Sequence, residues 1–183
     1  MKCFGLILSL AASSFVTAQP TTPNMVQSGP PWNLMPVPAK IQPGSGQWIP
    51  QQGFTISVNG ADDPRVLGAA QRFVEHLTRA TGISLHYQAG EPGKATIAIR
   101  CEHAGDKIQK LGEDESYVLD VTDAGVKLSA PNPLGIIHGL QTLLQLVSPG
   151  PQGFAAPAVH IEDAPRFQWR GLLLDSCRHW MPV

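Results

Sequence analysis

Apolar and polar positions fall along this chain in short blocks with clear punctuation. Phe54-Thr55-Ile56-Ser57-Val58 alternates with a period of two, which predicts a half-buried strand. Asp63-Pro64 then offers an N-cap and a proline at the first helical position. Behind it Val66, Leu67, Ala70, Phe73, Val74 and Leu77 recur at helical spacing until Gly82 ends the run. A short strand is expected around Ile83, Leu85 and Tyr87, followed by another over Ala95 to Arg100, where Ile97 and Ile99 share a face. Tyr117, Leu119 and Val121 alternate, Thr122-Asp123-Ala124-Gly125 turns, and Val126, Leu128 and Ala130 alternate again, which predicts a β-hairpin. Asn132-Pro133 repeats the cap-plus-proline device, and Ile136, Ile137, Leu140, Leu143, Leu144 and Val147 lay down a second helical stripe. Val159 and Ile161 mark a last short strand. The expected fold over residues 32–163 is α+β: a small, open, mostly antiparallel sheet with two helices on one face.

Both ends of the chain break this pattern. Met1-Lys2 is a short positive region, Cys3 to Ala12 a short apolar run, and Val16-Thr17-Ala18 fits a small-x-small cleavage site. The run is shorter than the roughly 20 residues a spanning helix needs. Residues 1–18 therefore read as a secretory signal peptide cleaved after Ala18, and the mature protein as exported, with no membrane insertion after cleavage. Residues 19–31 are rich in Pro, Thr, Ser and Gly and read as a flexible lead-in. At the other end Gly171-Leu172-Leu173-Leu174 is continuously apolar, the pattern of a strand buried on both faces of a parallel sheet. Such a strand needs partners that the chain does not supply, so the chain is expected to be part of a longer protein.

Composition narrows the function classes. With 13 Lys+Arg against 14 Asp+Glu, the 183 residues carry a net charge of -1, which removes the electrostatic case for nucleic acid or an anionic membrane. After signal cleavage only Cys101 and Cys177 remain. They could pair in an oxidising compartment or stay as two buried thiols, and neither has a neighbour at metal-ligand spacing. His86, His103, His138, His160 and His179 show no metal spacing either, and there is no glycine-rich phosphate loop. No metal and no cofactor is expected. Glu113-Asp114-Glu115 reads as a solvated acidic turn before a strand.

Pro165-Arg166-Phe167-Gln168-Trp169-Arg170-Gly171-Leu172-Leu173-Leu174-Asp175-Ser176-Cys177-Arg178-His179-Trp180-Met181-Pro182 resembles the opening strand of the (β/α)8 catalytic barrel of glycoside hydrolase family 20, the β-N-acetylhexosaminidases. Asn33-Leu34-Met35-Pro36-Val37-Pro38, Glu115-Ser116-Tyr117 with its hairpin, and Gly135 with Gly139-Leu140-Gln141-Thr142-Leu143 and Gln145 resemble the same family's small N-terminal domain. The resemblance implies a start of that barrel, truncated, over residues 164–183. It also implies an exo-acting, retaining, substrate-assisted enzyme acting on N-acetylhexosamine-terminated glycans or chitin oligomers. The catalytic Asp-Glu pair of that family would lie beyond Val183.

Arg170 is the candidate substrate-binding residue, because a guanidinium offers a planar fork of donors that two adjacent sugar hydroxyls can accept. In the resembled family the matching arginine holds the O3 and O4 hydroxyls of the terminal sugar. A structural salt bridge is the competing role, since Arg170 starts its expected strand, roughly 17 Å from Asp175 at the carboxyl end where barrel chemistry belongs. Asp175, Arg178 and His179 suggest a polar network bracing the first barrel loop. Trp169 and Trp180 could stack on a sugar, with packing the expected role. The alternative function is a non-catalytic secreted carbohydrate-binding or interaction module, for which Trp32, Trp48 and Tyr87 are the candidate aromatic contacts.

Overall fold

The computed structural model describes residues 32–173. Its elements are β1 (Lys40–Trp48), β2 (Ile56–Gly60), α1 (Pro64–Thr81), β3 (Ile97–Cys101), β4 (Tyr117–Thr122), β5 (Gly125–Ala130), α2 (Pro133–Leu146), β6 (Ser148–Gly150) and β7 (Gly153–Asp163). The sheet runs β1-β7-β4-β5-β3-β2, with β6 folded back on the start of β7. The expected α+β class holds, but the sheet is mixed rather than mostly antiparallel, because β2–β3 and β3–β5 are parallel. The reason is connection length. The α1 crossover between β2 and β3 is long enough to return the chain in the same direction, whereas the tight β4–β5 turn forces an antiparallel pair.

Both helices start where their caps place them. Asp63 accepts from the backbone N–H of Arg65 and Asn132 from that of Leu134, each ahead of a proline in the first turn. Gly82, in the left-handed region, closes α1. α1 packs on α2 and β2, and α2 on β3, β4, β5 and β7. The inward rows of the sheet, such as Ile97, Ile99, Leu119, Leu128 and Ile161, form one core with Phe73, Leu77, Leu140 and Leu143. α2 lies so close that a Cβ on Gly135 would stand 2.1 Å from the Ser116 carbonyl oxygen, and one on Gly139 would stand 2.3 Å from Leu128 Cδ1.

Three further expectations change. The Ile83–Tyr87 stretch is extended but not a strand: Leu85 is buried, and pairing is confined to an isolated bridge between Ile56 and Ala89. β7 has eleven residues, not a short run. β1 was not anticipated; Pro43, Gly44 and Gly46 make it look like a turn, and it survives as an edge strand whose register shifts between Pro43 and Gln47. The signal peptide and lead-in expected over residues 1–31 lie outside the described residues.

Candidate functional site

The chain leaves β7 at Asp163 and runs without regular structure to Leu173. The strand expected from Gly171 is not formed among the described residues: Leu172 and Leu173 are 90% and 96% exposed. An apolar strand is stable only with ladder partners on its edges and cover on its faces, and these residues have neither here. Trp169, expected to pack, is 81% exposed. Asp175, Cys177, Arg178, His179 and Trp180, and with them the expected bracing network, lie outside the described residues.

Arg170 is described, and the structure gives it an ion pair. Its Nη2 donates to Glu115 Oε2, and its Nη1 donates to the carbonyl of Phe167. The same Glu115 oxygen pairs with His138 Nε2 at 2.6 Å. Glu115 is thus no free member of an acidic turn; its side chain is 17% exposed and joins α2 to the outgoing chain. Its neighbours are engaged as well. Glu113 accepts from the backbone N–H of Lys110, and Asp114 from that of Ser116; the Ser116 hydroxyl first and its N–H second hold the Asp114 carboxyl below the usual range. Glu115 carries no sequence signal of this role, since it lies in an acidic stretch ahead of β4.

Beside this cluster lies a cleft of about 350 Å³ between the incoming Met35–Val37 segment, α2 and the outgoing chain. Its floor is polar. The Tyr117 hydroxyl lies 2.6 Å from Thr142 Oγ1 and donates to Asp163 Oδ2 at 3.2 Å. Burial pushes this phenol up to about 12, so it stays protonated. Asp163 Oδ1 accepts from the Ala39 N–H, Gln145 Oε1 from the Met35 N–H, and the Val37 carbonyl from Arg166 Nη2. Incoming and outgoing segments are therefore fastened to one another across the cleft.

The aromatic contacts of the binding-module alternative fare poorly. Trp48 is buried and packs edge-on against Phe54, while Trp32 and Tyr87 are half-buried against the core. The open sheet face instead carries Lys40, Glu162, His160 and Asp120, paired in that order at 2.6, 3.0 and 2.5 Å. Cys101 is a buried free thiol donating to the His103 carbonyl, and burial raises its pKa; pairing with Cys177 falls outside the described residues.

Residues 32–164 match the family model described as glycosyl hydrolase family 20, domain 2. The beta-hexosaminidase subunit beta of Rattus norvegicus is 37% identical over 161 residues, covering 82% of this chain and 30% of that protein. A Flavobacterium johnsoniae chitobiase superposes with a TM-score of 0.74 at 37% identity, over 82% of this chain and 23% of its own. A Streptomyces plicatus beta-hexosaminidase variant solved with its product GlcNAc does so at 0.62 and 30%, over 79% of this chain and 28% of its own. The chain spans less than a third of the length of each of these relatives. With a family match over residues 32–164 and the fold that goes with it, the chain belongs to glycosyl hydrolase family 20.

Proposed function

We propose that this chain is the N-terminal part of an exported exo-β-N-acetylhexosaminidase that removes terminal β-linked N-acetylhexosamine from glycans or chitin oligomers. The observation that carries the reading is continuity: the family's domain ends at residue 164, and five residues later Trp169-Arg170-Gly171 opens an apolar run that stands uncovered. The resemblance gives Arg170 the O3 and O4 hydroxyls of the terminal sugar, whereas its ion pair with Glu115 is the competing structural role. Two of the five N–H groups of a guanidinium are taken by Glu115 and Phe167, which leaves three for a hydroxyl pair. The acetamido oxygen of the substrate attacks the anomeric carbon as the glycosidic bond breaks and the aglycone leaves with a proton; water then opens the oxazolinium and configuration is retained, the substrate-assisted variant of glycoside hydrolysis. An Asp-Glu pair from a later barrel strand orients the acetamido group and moves the proton. The 183 residues alone turn over no substrate, because they hold neither of those carboxylates.

The test is to express the coding sequence extended through its barrel and assay it on p-nitrophenyl N-acetyl-β-glucosaminide, following the anomer released by NMR. β-Anomer as first product is expected, with no turnover from the 183-residue chain. First release of the α-anomer, turnover by the short chain, or an inactive extended protein would overturn the reading. N-terminal sequencing of the secreted product should begin at Gln19.

A further inference from the structure

We propose that Asn59 is a modification site: in the folded protein its amide is lost by spontaneous deamidation, with water as co-reactant and aspartate and isoaspartate as products. Asn59 and Gly60 close β2. The backbone requires glycine at the second position. Its φ is +96°, and a Cβ there would stand 1.9 Å from the Cys101 carbonyl oxygen. The fold therefore places directly after Asn59 the one residue type with no side chain to shield its nitrogen.

The edge on which that nitrogen lies is open. Ile97 N–H donates to the Thr55 carbonyl at 2.9 Å and Ala61 N–H to the Cys101 carbonyl at 2.8 Å, so Thr55 and Ala61 bond toward β3. Ile56 bonds the other way, donating to the Gln88 carbonyl and accepting from Gly90 N–H. Backbone groups alternate sides along a strand, which turns the Gly60 N–H to the outer edge with that of Ile56. β2 is the last strand in the sheet order, and pairing beyond it among the described residues is confined to the bridge between Ile56 and Ala89. Gly60 is exposed and Asn59 half-buried, and one long hydrogen bond, Nδ2 to Ser57 Oγ at 3.3 Å, holds the amide. The end of such an edge strand opens locally without unfolding the domain.

In the first step Gly60 N attacks Asn59 Cγ. The N–Cγ bond forms, the Cγ–Nδ2 bond breaks, and ammonia leaves with the proton from Gly60 N. Water then opens the succinimide at either carbonyl. Opening at one gives aspartate; opening at the other routes the main chain through the former side chain and lengthens it by one methylene. Both products set a new carboxylate in register with Arg100 on β3. The longer one also displaces Ala61, which loosens its bond to Cys101 and the entry to the Asp63 cap.

The full-length protein is held at about pH 8 and about 37 °C, folded or in urea, and its peptides are read by mass for exchange of ammonia for water. Asn132 is the internal reference, because Pro133 offers no N–H to attack with. Asn59 should convert first in the folded protein, with Asn132 and an Asn59→Gln variant unchanged. If conversion needed global unfolding, folding would slow it by about a thousandfold or more, the inverse of the unfolded fraction. A slowing smaller than that is expected, and the isoaspartyl form should melt below Asn59→Asp. Slowing by about a thousandfold or more, conversion at Asn33 ahead of Asn59, or undiminished isoaspartate in Asn59→Gln would overturn the proposal.

Discussion

Asp63 offers a direct test of how the first helix is held. Its carboxylate is nearly buried and takes four donors: Arg65 N–H at 2.9 Å, Arg65 Nε at 3.0 Å, Arg65 Nη2 at 2.8 Å and the Gly105 N–H at 3.3 Å. The Arg65 side-chain hydrogen bonds do most to hold the carboxyl at about 2 rather than 3.8. At about 1.4 kcal/mol per unit this depression corresponds to about 2 kcal/mol of folding free energy. The Arg65 side chain stays 30% exposed, so screening trims the figure to between about 1 and 2 kcal/mol. Asp63→Asn keeps a capping oxygen and removes the charge. Because the folded-state pKa is depressed, the charge stabilises the fold above the unfolded value and ceases to do so as pH falls through the folded one. The wild type should therefore exceed Asp63→Asn in full above about pH 4, by about half at pH 3, and hardly at all at pH 2. Urea unfolding followed by tryptophan fluorescence at pH 7, 4 and 3 measures the gap, and melting at pH 7 should show a loss of about 2–8 °C. A gap that is absent at pH 7, or equal at pH 7 and pH 3, would refute the reasoning.

Two further outcomes are expected. Gly135→Ala should cost more stability than Gly139→Ala in a thermal melt, with about 1–3 kcal/mol for the latter, because the new methyl on Gly135 meets a backbone carbonyl while that on Gly139 meets a leucine that can shift. His160, held by Asp120 first and Glu162 second, has its pKa raised above 6.5, so its contribution is present at acid pH and lost as pH rises through the folded value. His160→Gln should accordingly narrow the stability gap between pH 5.5 and pH 8.5, and the His160 ring resonances should titrate above the usual midpoint.

What was legible in the sequence follows from what patterns record. Both helices carried their own start signals, and Asp63-Pro64 and Asn132-Pro133 cap as expected. The hairpin was legible because alternation and a tight turn are local. Strand direction is not local: Ile97 and Ile99 alternate identically in a parallel or an antiparallel neighbour, so the parallel pairs around β3 were invisible. β1 was hidden because an exposed edge strand buries too little to leave a pattern, and Pro43 denies it one ladder donor.

Arg170 stood out because it sits in a specific run of residues. Its partner did not, since Glu115 lies 55 positions earlier in an acidic stretch that looks solvated, and an ion pair has no period to detect. The same holds for Asp163, which marks the end of β7 by pattern yet also takes the Tyr117 hydroxyl and the Ala39 N–H. Asp163 with Ala39, Arg166 with Val37 and Arg170 with Glu115 form three successive fastenings along one short segment. Swinging that segment away would break all three and expose the Asp163 carboxylate from a cleft where Tyr117 remains protonated beside it. The exit from this domain is consequently tied at Asp163 and Arg166 to the incoming segment and at Arg170 to Glu115.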